Sequence, residues 1–143
     1  MAEATEAAQT TIIVVGLGPG RWEDLTVEAQ AILDAAPAIV VRTERHPTVD
    51  TLRLRRPDLP LTSFDALYDN AESFADLYPL MARATLEQAA TLPDGQALVY
   101  AVPGHPLIGE ESVRQLRALA AERGVSLRIV AGLSFVEPVC AAL

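Results

Sequence analysis

Apolar and polar positions follow two rhythms along the chain. Short unbroken apolar runs, rich in β-branched residues, read as strands buried on both faces of a sheet. They are Thr11-Ile12-Ile13-Val14-Val15-Gly16, Ala38-Ile39-Val40-Val41-Arg42, Ala97-Leu98-Val99-Tyr100-Ala101-Val102 and Leu127-Arg128-Ile129-Val130-Ala131, with a shorter strand expected over Leu59 to Phe64. Helical spacing fills the intervals. Ala29, Ile32, Leu33 and Ala36 share one face behind Thr26 as N-cap, and Pro37 ends that helix. His46 to Arg56 predicts a short helix stopped by Pro57, with His46 placed to cap it. Ser73 and Asp76 open a long helix whose apolar face is Phe74, Leu77, Tyr78, Met81, Thr85, Leu86 and Ala89. Pro79 fits there only in the first turn or at a kink. Between these two helices, Asp65 to Glu72 reads as a polar connection, a solvated stretch carrying Asp65, Asp69 and Glu72.

The remaining elements complete the alternation. Pro93-Asp94-Gly95 is a turn. Glu110 and Glu111 sit at the positive end of a helix whose stripe is Val113, Leu116 and Ala120, and Gly124 stops it. A last helix starts near Ser134, where Ser134 and Glu137 fit a capping box. About five strands alternating with helices predict an α/β fold, a mostly parallel sheet with helices on both faces. Residues 11–143 form one unit, and residues 1–10, acidic and alanine-rich, are expected to be a disordered tail. The apolar ending Val139-Cys140-Ala141-Ala142-Leu143 predicts a buried Cys140 and a segment that follows in a longer protein.

Composition narrows the function classes. Half the residues are apolar, which suits a packed core, yet no run approaches the roughly 20 residues of a membrane span. The N-terminus lacks the basic start and apolar core of a signal peptide. The formal charge is −8, and only Arg53, Arg55 and Arg56 cluster, so neither nucleic acid nor a membrane is an expected partner. The chain has no lysine, which excludes a Walker-A lysine and a Schiff-base lysine. A single cysteine excludes an internal disulfide and suits the reducing cytoplasm.

Ligands of an open parallel sheet gather at the carboxyl ends of its strands. Three loops there carry unusual residues: Gly16-Leu17-Gly18-Pro19-Gly20, Pro103-Gly104-His105-Pro106 and Gly132-Leu133-Ser134. Glycine lets backbone approach a ligand, and proline sets loop shape before the ligand arrives. The first loop fails the dinucleotide pattern G-x-G-x-x-G, because Arg21 holds the third glycine position and Pro19-Gly20 delays the helix. The second strand ends in Arg42 rather than an acid for a ribose hydroxyl. Each residue also has a purely structural role open to it. The first loop can be a tight turn without a ligand, His105 can donate a hydrogen bond that shapes its turn, and Ser134 can cap a helix. His46 and His105 follow different strands and no third ligand accompanies them, so no metal is expected.

Read together, these segments resemble the tetrapyrrole (corrin and porphyrin) methylases. Ile12-Ile13-Val14-Val15-Gly16-Leu17-Gly18-Pro19-Gly20 with Leu25-Thr26 is similar to the opening of that family. Val99 to Leu107 is similar to its fourth-strand loop, and Gly132-Leu133-Ser134-Phe135 to its third cofactor segment. Arg42-Thr43-x-x-His46-Pro47, Ser63-Phe64-Asp65 and Ala101-Val102-Pro103-Gly104-His105-Pro106 resemble the subgroup fused to MazG-type nucleoside triphosphate pyrophosphohydrolases. The resemblance implies the first of two α/β subdomains, the second being absent, with S-adenosylmethionine in the cleft between them. It implies cofactor contacts at Gly16, Gly18, Pro19, Gly104, His105, Ile108, Ser134 and Phe135. His105 departs from the aspartate usual there, and a cationic imidazole beside a sulfonium is unfavourable. The resemblance further implies a methyltransferase domain, a small acceptor such as a tetrapyrrole, and a homodimer. The competing expectation is a non-catalytic cofactor-binding or regulatory module attached to the pyrophosphohydrolase. No E-x-x-E metal motif on a predicted helix points to hydrolase chemistry in this chain.

Overall fold

Unbroken runs of β-branched and large apolar residues build the inner strands of a sheet, largely dry on both faces, while its two edge strands stay partly exposed. The computed structural model describes residues 11–143, so the expected tail at 1–10 lies outside the described residues. Its strands are β1 (Thr11–Gly16), β2 (Ile39–Val41), β3 (Leu61–Ser63), β4 (Ala97–Val102) and β5 (Ser126–Val130). Its helices are α1 (Val27–Ala35), α2 (Pro47–Arg55), α3 (Asp65–Asn70), α4 (Phe74–Ala90), α5 (Glu111–Arg123) and α6 (Val136–Ala142). The strand order is β3-β2-β4-β1-β5 and every pairing is parallel.

The period of two sorts the strand residues onto two cores. Ile12, Val14, Val40, Leu98, Tyr100 and Val102 face α4 and α5, meeting Leu77, Met81, Leu86, Val113 and Leu116. Val15, Ile39, Val41, Val99 and Ala101 face α1 and α2, meeting Ala29, Leu33, Val49 and Leu52. Truncating one of these buried leucines to alanine costs about 2–5 kcal/mol. Helix ends follow their sequence signals. Thr26 Oγ accepts from Ala29 N at 3.0 Å, Ser73 Oγ accepts from Asp76 N at 3.3 Å, and Gly124 ends α5 at φ 67°. Pro79 lies within α4, in its second turn.

Three expectations are corrected. The segment from Asp65 opens as a short helix rather than a connection, although Asp69 and Glu72 are solvated as expected; half-buried Asp65 ties it to the loop after β2, accepting from Thr43 Oγ at 2.6 Å and from Glu44 N at 2.8 Å. Phe74 stands outside the apolar face of α4, 69 % exposed and stacked on Tyr78 at 6.3 Å. Cys140 is exposed, as is every residue of α6, because no other described element covers that helix. The arginine cluster is engaged internally. Arg53 pairs with Glu44 at 2.9 Å, and Arg55 pairs with Asp34 and lies over the Trp22 ring. Arg56 donates to the α1 carbonyls of Leu33 and Ala36.

Candidate functional site

All three glycine loops meet at the carboxyl edge of the sheet. β4 lies between β2 and β1, and this insertion brings the loops after β1 and β4 side by side. Gly18 and Gly104 exchange two backbone hydrogen bonds, 3.2 Å and 2.9 Å, and both have positive φ, 69° and 67°. Leu17 N adds a third bond to Val102 O at 2.8 Å. The loop after β5 closes on the same point. A Cβ on Gly16 would lie 2.6 Å from Gly104 O, and one on Gly132 would lie 2.4 Å from it. Backbone atoms of three loops therefore pack where side chains would stand, which is why glycine occupies both positions.

This junction floors an open cleft of about 480 Å³. Gly18, Pro19, Gly104, His105, Ile108 and Phe135 line it, together with Arg42, His46 and Glu110. Six of the eight residues singled out in the sequence thus share one wall. Gly16 and Ser134 are buried and do not reach that wall; Gly16 belongs to the backbone junction. Ser134 Oγ accepts from Val136 N at 3.1 Å and donates to the Glu137 carboxylate. It organises the entry to α6, although Phe135 holds the N-cap position. The Glu137 carboxyl is held below its ordinary range, first by the Ser134 hydroxyl. A neighbouring hollow of about 540 Å³, lined by Pro106, Glu111, Arg114 and Arg117 among others, draws on only the loop after β4. The glycine junction does not border it, so its larger volume does not make it the better site.

The two histidines do different things. His46 is buried as the N-cap of α2, its Nδ1 accepting from Thr48 N at 3.3 Å. Its Nε2 therefore carries the proton and donates to Gly18 O at 3.1 Å. Burial pushes its pKa below 6.5, and the bond to Gly18 offsets only part of that. His105 corrects the expectation of a donor: its Nδ1 accepts from Leu107 N at 3.0 Å. No group of three metal-ligating side chains occurs among the described residues.

Two charged residues on the cleft floor were not among the candidate site residues of the sequence, where Arg42 was a strand end and the start of a subgroup motif and Glu110 a helix start. Arg42 follows β2, and its backbone N bonds Ala101 O at 2.9 Å. Its Nη1 donates to Tyr68 Oη at 3.0 Å, and its Nε lies 3.5 Å from Glu110 Oε2. Glu110 accepts from Ser112 Oγ at 2.7 Å, and Ser112 Oγ lies 2.8 Å from Tyr100 Oη. Because the Ser112 proton goes to Glu110, the Tyr100 hydroxyl donates to Ser112. Burial pushes the Glu110 carboxyl above its ordinary pKa, against the pull of Arg42 and Ser112. An arginine closing a run of buried β-branched residues is the signal that could have marked this network.

A parallel α/β sheet with a glycine-built cleft at its carboxyl edge is the class of protein the geometry defines. The family profile of Tetrapyrrole (Corrin/Porphyrin) Methylases matches residues 11–143, and the chain belongs to that family. It is 32 % identical over 126 residues to the uncharacterized protein YabN of Bacillus subtilis (strain 168), which covers 88 % of this chain and 24 % of that protein. Among solved structures it is similar to a cobalt precorrin-4 methyltransferase, with TM-score 0.68 and 18 % identity over 99 % of this chain and 53 % of that one. A uroporphyrin-III C-methyl transferase from Thermus thermophilus, complexed with S-adenyl homocysteine, has TM-score 0.62 and 20 % identity over 87 % of this chain and 48 % of its own. A diphthine synthase has TM-score 0.63 and 19 % identity, over 92 % and 47 %. The chain spans about half of each solved structure and about a quarter of the curated relative. No helix among the described residues is long and apolar enough to cross a membrane.

Proposed function

We propose that the cleft floored by Gly18 and Gly104 binds S-adenosylmethionine and forms one half of a methyltransferase site whose acceptor is a tetrapyrrole. The observation that carries this reading is the three-loop junction, which opens into a single cleft bordered by Pro19, His105 and Phe135. Its volume lies within the range of small-molecule sites, and its walls are largely apolar with a few convergent polar groups, which suits a nucleoside carrying a sulfonium. One solved structure of this fold is described with S-adenyl homocysteine.

The bound cofactor supplies an activated methyl group and leaves as a neutral thioether, so the protein needs no strong acid or base for the departure. What this chain contributes is position. Gly18 and Gly104 hold two loops at fixed separation, Pro19 and Pro103 stiffen them, and Ile108 and Phe135 present apolar surface to the cleft. We assign no acid–base residue.

The finer reading places the chain in a cytoplasmic, homodimeric protein that carries a MazG-type pyrophosphohydrolase. The greater length of the Bacillus relative supports a multidomain setting. A non-catalytic sensor of the cofactor is the second reading. It is favoured by His105, whose Nδ1 is engaged by the backbone and which supplies no anionic acceptor where the family usually has one.

Calorimetric titration of the chain with S-adenosylmethionine and S-adenosylhomocysteine tests the proposal. Binding of both is expected, without methyl transfer by these 143 residues alone. No heat with either ligand overturns cofactor binding. Turnover by the 143-residue chain overturns the view that a second half is required.

A further inference from the structure

We propose that Arg42 anchors a carboxylate of the methyl acceptor. The proposal deepens the methyltransferase reading and rests on it for the word acceptor. The argument begins with where the side chain is held. Arg42 stands at the carboxyl end of β2, next to β4 and beside the point where the loops converge. Its neighbours leave it little freedom. Thr43 and Glu44 are tied to Asp65, Glu44 is also paired with Arg53, and His46 is bonded to Gly18. The segment that presents Arg42 is thus pinned at both ends.

The guanidinium itself is under-used. Its side chain is 21 % exposed and lines the cleft. Among the described residues its head group makes one hydrogen bond, to the neutral hydroxyl of Tyr68. Its Nε is buried and has no hydrogen-bond partner, because Glu110 approaches only to 3.5 Å. Withdrawing a guanidinium from water is costly unless its donors are satisfied. A planar fork of N–H donors at the floor of an apolar cleft is matched by a carboxylate.

Glu110 does not fill that role. It lines the same cleft floor, but its side chain is only 3 % exposed against 21 % for Arg42, and it is already bonded by Ser112. Ser112 is in turn fixed by Tyr100. This chain of bonds holds Glu110 as a counter-ion that orients Arg42. Arg42 is the more exposed of the two, so an anion entering the cleft meets the guanidinium rather than the carboxylate.

Two carboxylates could occupy this position, that of the acceptor and that of the cofactor's methionine part, and the test separates them. Wild-type chain, Arg42→Gln and Arg42→Lys are titrated with uroporphyrin III, with its fully esterified methyl ester, and with S-adenosylhomocysteine. Thermal melting confirms that the variants fold. The expected result is uroporphyrin affinity lowered about tenfold or more by Arg42→Gln, partly retained by Arg42→Lys, with ester and S-adenosylhomocysteine affinities unmoved. The assignment is overturned if wild-type chain does not bind the free acid, or if Arg42→Gln binds it as wild type does. Loss of S-adenosylhomocysteine affinity in Arg42→Gln overturns it too, by giving the arginine to the cofactor. Should S-adenosylhomocysteine fail to bind wild type while the free acid binds through Arg42, the methyltransferase reading falls and the carboxylate anchor stands.

Discussion

His46 and Gly18 are joined across the cleft floor by a hydrogen bond of 3.1 Å from imidazole Nε2 to the backbone carbonyl. The same carbonyl accepts from Gly104 N, so the first cofactor loop is fastened from two sides. His46 fastens it only while its Nδ1 remains an acceptor for Thr48 N.

That requirement makes stability depend on pH. Burial depresses the His46 pKa below the 6.5 of an unfolded histidine, so the unfolded chain takes up the proton first. The contribution is fully present above about pH 6.5 and is lost as pH falls through the folded-state pKa. Denaturant unfolding between pH 5 and 8 should show stability declining on the acid side. His46→Ala should remove most of that slope and cost about 1–2 kcal/mol at pH 8. An unchanged slope in His46→Ala would assign it elsewhere.

The three-loop junction makes a second prediction. Gly132→Ala places a methyl 2.4 Å from the Gly104 carbonyl, and the obstacle is backbone, which cannot rotate away. Destabilisation of about 3 kcal/mol is expected by chemical denaturation, the upper end of ordinary overpacking, together with loss of S-adenosylhomocysteine binding. Gly95→Ala is the control. It has positive φ but nothing within 4 Å, so it should cost only about 1 kcal/mol and leave binding intact.

Much of this arrangement could be read from residue order alone, and the reasons differ by element. β1 and β4 were readable because strands buried on both faces have unbroken apolar runs, and α1 because Thr26 and Pro37 mark its ends. The three loops were readable because strand–helix alternation implies parallel strands, and the loops that follow parallel strands share the carboxyl edge. α3 was not, because its stabilising contacts are tertiary: Asp65 reaches back to Thr43 and Glu44, more than twenty residues earlier. Exposure of Cys140 was also hidden, since an apolar run states a preference for burial without naming a partner. Arg42 and Glu110 escaped for a related reason. Each is unremarkable in its own segment, and only the β2–β4 adjacency brings them within 3.5 Å.

His105→Asp tests the atypical second loop. A carboxylate can still accept from Leu107 N, as the imidazole Nδ1 does at 3.0 Å, so the turn should persist. The substitution adds a negative charge to the cleft wall. S-adenosylmethionine is a sulfonium and S-adenosylhomocysteine is not, so the ratio of their affinities isolates the charge effect from any change in shape. A shift of about fivefold toward the sulfonium is expected, equivalent to ~1 kcal/mol for a partly solvated pair. Equal changes for both ligands would show that the cofactor's sulfur lies away from residue 105.

The last prediction concerns the chain of bonds behind Arg42. Tyr100 is 1 % exposed and its hydroxyl has Ser112 as its acceptor, and burial pushes its pKa well up. Ser112→Ala strands that hydroxyl and removes one donor from Glu110, so about 1–3 kcal/mol should be lost. Tyr100→Phe in the wild-type background removes only one bond and should cost about 1 kcal/mol, because Ser112 keeps Glu110. In the double variant the stranded hydroxyl is gone, and the loss should be smaller than the sum of the single losses by roughly 1 kcal/mol. Denaturation of the four proteins closes this cycle. Strict additivity would mean that Tyr100 and Ser112 do not share a bond, and the orienting chain from Tyr100 to Arg42 would then begin at Ser112.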